Sequence, residues 1–345
     1  MSEFVSSGHG VGIRAIGGYL PQRIVTNADL EKVFDTSDEW IRKHVGIRTR
    51  HWSASDEWTS DLGAAALRDA CDRAGIGPDE IDLVICGTYS PEDMSPPAAV
   101  AIMRKVGMHG IPGFDVNSGG CAGGVFALDV GARYVQSGRS RRVAVVLSDV
   151  TTKMLDPEDR TMGVIFGDAS ACYLLEPCTP GLGVAPALLR SEPAEYGTAS
   201  MKRENRTWPD GAPKQSIFGS VFAQMRGPAV RAFALDKIPG FVEEVLKLEG
   251  LVVDDLDLIV FHQANYVLIH ELMERLGLPP ERTVTNVERI GNTSGAGLPM
   301  ALHDAIDAGR LRRGDVVLLI SFGAGMSCGG TVIRWTGSED FGLVD

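Results

Sequence analysis

The chain repeats itself. The stretch Ala74-Gly75-Ile76-Gly77-Pro78-Asp79-Glu80-Ile81-Asp82-Leu83-Val84-Ile85 follows a helical segment and reads as a turn running into a buried strand. It returns as Glu249-Gly250-Leu251-Val252-Val253-Asp254-Asp255-Leu256-Asp257-Leu258-Ile259-Val260, about 175 residues later. A second echo follows in the same order: Gly138, Arg141-Arg142 and Val143 to Leu147 reappear as Gly309, Arg312-Arg313 and Val316 to Ile320, offset by about 171. A helix, a turn and Asp-Leu-Val-Ile can recur by chance in α/β proteins, but two echoes in one order favour duplication. The chain therefore divides into halves, residues 1–178 and 179–345. Each half alternates helical segments with short Val/Ile/Leu runs. That is the pattern of an α/β fold with mostly parallel sheets covered by helices, and it gathers functional residues at the C-terminal ends of strands.

Cys121 stands in the run Asp115-Val116-Asn117-Ser118-Gly119-Gly120-Cys121-Ala122-Gly123-Gly124. Gly113 to Val116 reads as a strand end, and Val125 to Gln136 has helical apolar spacing, so Cys121 falls on the first helical turn. Backbone N–H groups and the positive end of the helix dipole favour a thiolate there, and the glycines let a substrate approach closely. The plainer alternative is a small buried hydrophobe. Adding the repeat offset to Cys121 lands on Asn292, inside Gly291-Asn292-Thr293-Ser294-Gly295-Ala296-Gly297, a second glycine elbow before a helix. His262 directly follows the repeated strand. Each of these could be a structural residue on its own, the histidine hydrogen-bonded and the asparagine a turn former. Their agreement on one face makes them a candidate site.

Bulk properties exclude several classes. At 345 residues, 44% hydrophobic and 23% charged, the composition is that of a soluble protein with room for two core-bearing halves. No stretch reaches the length of a membrane span, and the polar start from Met1 to Gly10 lacks a signal pattern, so a cytoplasmic protein is expected. The six cysteines are scattered without a C-x-x-C pair, against a metal site and against a disulfide framework. A net charge of −12 disfavours nucleic acid as a partner, and an anionic ligand needs a local basic patch.

Four segments stand out: Leu20-Pro21 with Thr26-Asn27-Ala28-Asp29-Leu30, Asp35-Thr36-Ser37-Asp38-Glu39-Trp40-Ile41 and Gly46-Ile47-Arg48; Cys121-Ala122-Gly123; His262-Gln263-Ala264-Asn265; and Gly291-Asn292-Thr293-Ser294. Together they resemble the β-ketoacyl-acyl carrier protein synthase III enzymes, the initiating condensing enzymes of the thiolase fold. The resemblance covers nearly the whole chain. It implies two duplicated α/β halves in a five-layered αβαβα core, a Cys-His-Asn triad at Cys121, His262 and Asn292, and a homodimer. An acyl group from acyl-coenzyme A would load on Cys121, with backbone N–H groups of Cys121 and Ala324 holding the oxyanion. A malonyl thioester, on acyl carrier protein or coenzyme A, would then lose CO₂ beside His262, Asn292 and Phe322. No cofactor is implied. Trp40 and Arg160 match the positions that sandwich adenine, and Asn265, Gly227 and Thr36 match positions along the coenzyme A and pantetheine path.

The chain departs from the family at several places. His44 and Val267 replace arginines, which weakens the expected docking of an acidic carrier unless Arg42, Lys43, Arg226 or Arg231 substitutes. Ser95, beside Met94, replaces a phenylalanine that commonly blocks the acyl pocket from the partner subunit, so a wider pocket is expected. The stretch from Tyr196 to Ser216, with Lys202, Arg203, Arg206 and Trp208, is polar and long enough to reshape the entrance.

Competing readings turn on particular residues. A thiolase would need a second cysteine ahead of a late glycine run, but Cys328 follows Gly323-Ala324-Gly325 and reads as packed strand; a hydroxymethylglutaryl-type synthase would need a carboxylate base just after a Gly-Thr strand end, but Tyr89 follows Gly87-Thr88 and Glu92 is displaced. Simple acyl transfer to a hydroxyl or amine, with His262 as general base, is the main alternative to condensation. A non-catalytic subunit fits poorly with an intact Cys-His-Asn set.

Overall fold

A computed structural model describes residues 9–117, 120–156, 158–203 and 221–342. Of the polar stretch from Tyr196 to Ser216, residues 204–216, with Arg206 and Trp208, lie outside the described residues. The strands are, in chain order, β1 (Gly10–Tyr19), β2 (Arg23–Thr26), β3 (Thr49–Trp52), β4 (Leu83–Gly87), β5 (Gly113–Val116), β6 (Val143–Asp149) and β7 (Ala169–Cys178). They continue as β8 (Gly183–Val184), β9 (Leu188–Ser191), β10 (Ala199–Arg203), β11 (Val221–Met225), β12 (Leu258–Phe261), β13 (Val316–Gly323) and β14 (Ser327–Arg334).

The apolar runs set the central strands. Every residue of β4, β6, β7, β12 and β13 is buried, as strands covered on both faces require. Nine strands hydrogen-bond along the path β12-β13-β14-β8-β1-β7-β6-β4-β5, and β9, paired with β14, makes the sheet ten-stranded. The pairing pattern repeats. In the first half β5, β4 and β6 are parallel, and β6, β7 and β1 are antiparallel. In the second, a bridge from Thr283 to β12 and the β12–β13 pair are parallel, and β14 runs antiparallel to β13, β8 and β9. The sheets are thus mixed rather than mostly parallel. Parallel neighbours need a crossover, whereas β13 and β14 are joined by a short turn and can only run antiparallel.

Alternate residues of these strands face different layers. Val143, Val145 and Leu147 of β6, with Val317 and Leu319 of β13, point into one central core, which also takes Val125, Leu128 and Ala132 from the helix Gly123–Gln136 and Leu298, Ala301 and Leu302 from the helix Gly297–Asp307. Ala144 and Val146 point the other way, onto the helices Thr59–Ala74 and Ala98–Val106. Leu318 and Ile320 do the same onto the helices Gly227–Leu248 and Tyr266–Arg275. Five layers result, helix, sheet, central helix pair, sheet and helix. The molecule has the thiolase fold. Among the described residues no helix is long and apolar enough to cross a membrane.

Close layer contact explains a glycine inside β1. A Cβ on Gly17 would lie 2.2 Å from both Ala66 O and Ala70 N, on the backbone of the helix Thr59–Ala74. Since neither backbone atom can swing aside, Gly17→Ala is expected to cost about 3 kcal/mol of stability, read from the urea midpoint with an unchanged slope.

Candidate active site

Two turns face each other across the centre of the molecule. Gly120–Ala122 is a 3₁₀ turn leading into the helix Gly123–Gln136, with Ala122 as N-cap, so Cys121 sits just before the α-helix rather than on its first turn. Ser294–Ala296 leads into the helix Gly297–Asp307 in the same way. The turns begin at Gly120 and Ser294, 174 residues apart. Cys121 is therefore equivalent to Gly295, and Asn292 lies ahead of its turn instead of mirroring the cysteine. Glycines allow the approach: a Cβ on Gly295 would lie 3.2 Å from Gly120 O, and one on Gly124 would lie 3.1 Å from Gly295 O.

Backbone bonds hold the other two residues. Asn292 N donates to Ile165 O and Gly167 N donates to Asn292 O, both at 3.0 Å, so Asn292 is bridged to the segment beside Phe166. His262 follows β12, and its N–H donates to Ile320 O at 2.7 Å. Its ring meets Phe322 edge-on, with centroids 5.4 Å apart and planes at 87°. Gln263 is scaffold: Nε2 donates to Phe261 O at 2.8 Å, and Oε1 accepts from Asn286 N at 3.0 Å.

Ser294 brings the three together. Its N–H donates to Asn292 Oδ1 at 2.9 Å, which fixes the amide with its NH₂ end free to donate elsewhere. Its backbone carbonyl is an acceptor for the His262 ring. Its hydroxyl faces Cys121, Tyr89 and Asp149 together, yet makes a bond of ordinary geometry with none of them. Among the described residues it is the one non-glycine with positive φ, at 57°. Sequence reasoning quoted Ser294 within a motif but gave it no role, because a left-handed backbone is signalled by glycine and not by serine. Asp149, 1% exposed at the end of β6, was missed as well. The available signal was a carboxylate closing an otherwise apolar strand.

Electrostatics correct one expectation. Cys121 is only partly buried and so reachable, but desolvation pushes its thiol up to about 12, with Asp149 adding to the rise and the Ser294 hydroxyl opposing it. Burial outweighs the favourable turn, and the resting group is a thiol rather than a thiolate. Burial also holds His262 down at about 3, the Ser294 backbone bond opposing it. The ring is neutral throughout the physiological range, and its Nδ1 is buried without a partner among the described residues.

The other candidates lie further out. Ala324 occupies the turn between β13 and β14, and Ser321 Oγ of β13 donates to Ala122 O at 2.9 Å, tying that hairpin to the cysteine turn. Arg160 lies over the Trp40 ring at 5.4 Å, and His44 stacks on the same ring at 4.7 Å. Arg160 also donates to Asp35 O, next to Thr36, whose Oγ1 is buried without a partner among the described residues. Asn265 is an N-cap, its Oδ1 accepting from Leu268 N at 2.8 Å. A Cβ on Gly227 would meet open space. Of the possible substitutes for the missing arginines, Arg42 pairs with Asp38 at 2.7 Å, Arg231 bonds Glu271 and Arg226 bonds Thr198. Met94 and Ser95 lie on a stretch that is exposed from Asp93 to Pro97, so within one chain they line no interior pocket.

Two competing readings lose their residues here. Glu92 is bonded to Ser60 N and Oγ at the start of the helix Thr59–Ala74. Cys328 is packed in β14, 3% exposed.

Comparison with known proteins agrees along the chain. Residues 114–193 match the family model described as 3-oxoacyl-[acyl-carrier-protein (ACP)] synthase III, and residues 246–335 match the model of its C-terminal part. The chain is 37% identical over 325 residues to the β-ketoacyl-[acyl-carrier-protein] synthase III of Symbiobacterium thermophilum, covering 94% of this chain and 98% of the relative. The structure of the corresponding Thermus thermophilus enzyme is similar with a TM-score of 0.85 at 36% identity, covering 94% of this chain and 99% of that one. The priming β-ketosynthase of the R1128 polyketide pathway is similar with a TM-score of 0.88 at 33% identity, covering 97% and 98%.

Proposed function

The chain belongs to the β-ketoacyl-[acyl-carrier-protein] synthase III family, and on that premise we propose that Cys121, His262 and Asn292 carry out a decarboxylative condensation. The protein is an acyl-transferring condensing enzyme of fatty acid or polyketide synthesis. Cys121 takes the acyl group from acyl-coenzyme A. The malonyl thioester then loses CO₂, and its carbon attacks the acyl-Cys121 to give a β-ketoacyl product. Decarboxylation builds negative charge on the thioester carbonyl, and the donors for it are the neutral His262 ring N–H and the Asn292 amide. Phe322, edge-on to His262, offers the departing carboxylate an apolar surface that favours neutral CO₂.

One observation carries this reading: Ser294 ties Asn292 and His262 together beside Cys121, with Asn292 turned to donate. Simple acyl transfer needs His262 as a base, and a ring held near 3 by burial is a weak one. No cofactor enters the chemistry, because the thioester supplies the activated carbonyl. We place the reaction in the cytoplasm, in a homodimer whose second copy brings the exposed loop of Met94 and Ser95 to the acyl pocket. Trp40 and Arg160 take the nucleotide end of the donor, with Thr36, Asn265 and Gly227 along its path and Ala324 at the oxyanion. With Arg42 and Arg231 already paired to carboxylates, carrier-protein docking is weaker than coenzyme A binding.

The test is kcat/KM for acetyl, branched and medium-chain acyl groups, each on coenzyme A and on a carrier protein, with the acyl-enzyme weighed by intact-protein mass spectrometry. Longer or branched groups on coenzyme A are expected to be preferred. A strict preference for acetyl would refute the open pocket, and a strong preference for carrier-bound primers would refute the docking argument.

A further inference from the structure

Cys121 meets its substrate as a thiol, and forming the acyl-enzyme requires that proton to leave. Burial disfavours the protonated form of His262, so the ring is a poor destination. The polar groups on the other side of Cys121 offer one. Asp149 closes β6 with its Oδ1 accepting from Thr88 Oγ1 at 3.0 Å, Tyr89 N at 3.1 Å and Ser90 Oγ at 3.1 Å. The titratable groups coupled to it are Cys86 on β4, Tyr89 on the loop that follows and Cys121 on the facing turn, and none of them is a cation. The nearby Asp168 is taken up by Ser53 and Thr152. Among the described residues this interior carboxylate is held by neutral donors and paired with no cation.

The Ser294 turn packs on both the Cys121 turn and β6, and its hydroxyl, fully buried and without a bond of ordinary geometry, faces the thiol and the carboxylate. A buried hydroxyl without a bond and a non-glycine residue at positive φ both cost stability. Both costs fall on the same residue, which is the arrangement expected when a position is retained for chemistry.

We propose that Ser294 relays the Cys121 thiol proton to Asp149 during acylation. As the bond from Sγ to the acyl carbon forms, the thiol proton passes to Ser294 Oγ while the proton of the Ser294 hydroxyl passes to the carboxylate. As the bond from the acyl carbon to the donor sulfur breaks, the departing thiolate takes a proton back along the same route. The products are acyl-Cys121, a free thiol and Asp149 again ionised. Burial raises Asp149 to about 6, its hydrogen bonds opposing the rise, which leaves it ionised but basic enough to accept near neutral pH. The relay rests on the acyl-Cys121 reading and concerns only how that intermediate forms.

The experiment is single-turnover acylation of the full chain by acetyl-coenzyme A, quenched and weighed, from about pH 5 to about pH 9. The wild-type rate is expected to fall as pH drops through about 6, where Asp149 takes up a proton. Asp149→Asn is expected to slow acylation on the order of a hundredfold and to flatten that limb. Ser294→Ala, which keeps the backbone bonds to Asn292 and His262, is expected to do the same, and Asp149→Glu to restore part of the limb. If the wild type is not acylated at all, the reading of Cys121 falls. If it is acylated and the two variants keep its rate and pH profile, the relay is wrong. Should Asp149→Asn lose its circular dichroism signal, Ser294→Ala decides alone.

Discussion

Cys121→Ala is expected to abolish covalent acylation, whereas Cys328→Ala leaves it largely intact. Acidity does not separate these thiols. Burial pushes Cys71 and Cys328 up to about 11 and Cys121 and Cys178 up to about 12, and it raises Cys86 and Cys172 well above the ordinary thiol range. Access does separate them, since Cys121 is the one cysteine of the six that is only partly buried. It also lies on a turn facing Ser294, while Cys328 is held in register opposite Phe322 within the β13–β14 pair. A thioester can reach the first and not the second. Intact-protein mass spectrometry after exposure to an acyl-coenzyme A reads the outcome directly. Acylation persisting in Cys121→Ala would overturn the assignment.

How much of this was legible in the chain differs by level. The strands were, because Val143 to Leu147 and Val316 to Ile320 are continuous apolar runs that only a strand covered on both faces can bury. Strand direction was not. Whether β14 returns beside β13 depends on the geometry of the turn at Ala324 and Gly325, and the sequence pattern of a buried strand is the same either way. The repeat placed Cys121 and the segment of Asn292 in facing turns, but the offset at the site is 174 rather than about 171, and it matches Cys121 with Gly295. Loop lengths between repeated elements drift without moving the elements. The charge state of Cys121 was misread for a physical reason: turn polarity can be inferred locally, whereas desolvation depends on what the other half of the chain packs against the turn. Ser294 was invisible in its role because it contacts Asn292 and His262 mainly through its backbone.

The second large effect is expected at Asn292. With Oδ1 tied to Ser294 N at 2.9 Å, the amide has one orientation and can only donate to whatever lies on its far side. A donor that adds nothing to thioester attack by Cys121 has its use in the next step, when the malonyl carbonyl gains charge. Asn292→Ala should therefore still be acylated by the first substrate, yet lose malonyl decarboxylation by on the order of a hundredfold, or about 2.7 kcal/mol in the barrier. The backbone bridge to Ile165 and Gly167 does not involve the side chain, so the loop is expected to keep its place in the variant. Release of CO₂ from malonyl thioester on pre-acylated enzyme separates the steps. If it stayed at the wild-type rate, the asparagine would have no part in enolate stabilisation, and transfer of the acyl group to a hydroxyl or amine would become the better account of this site.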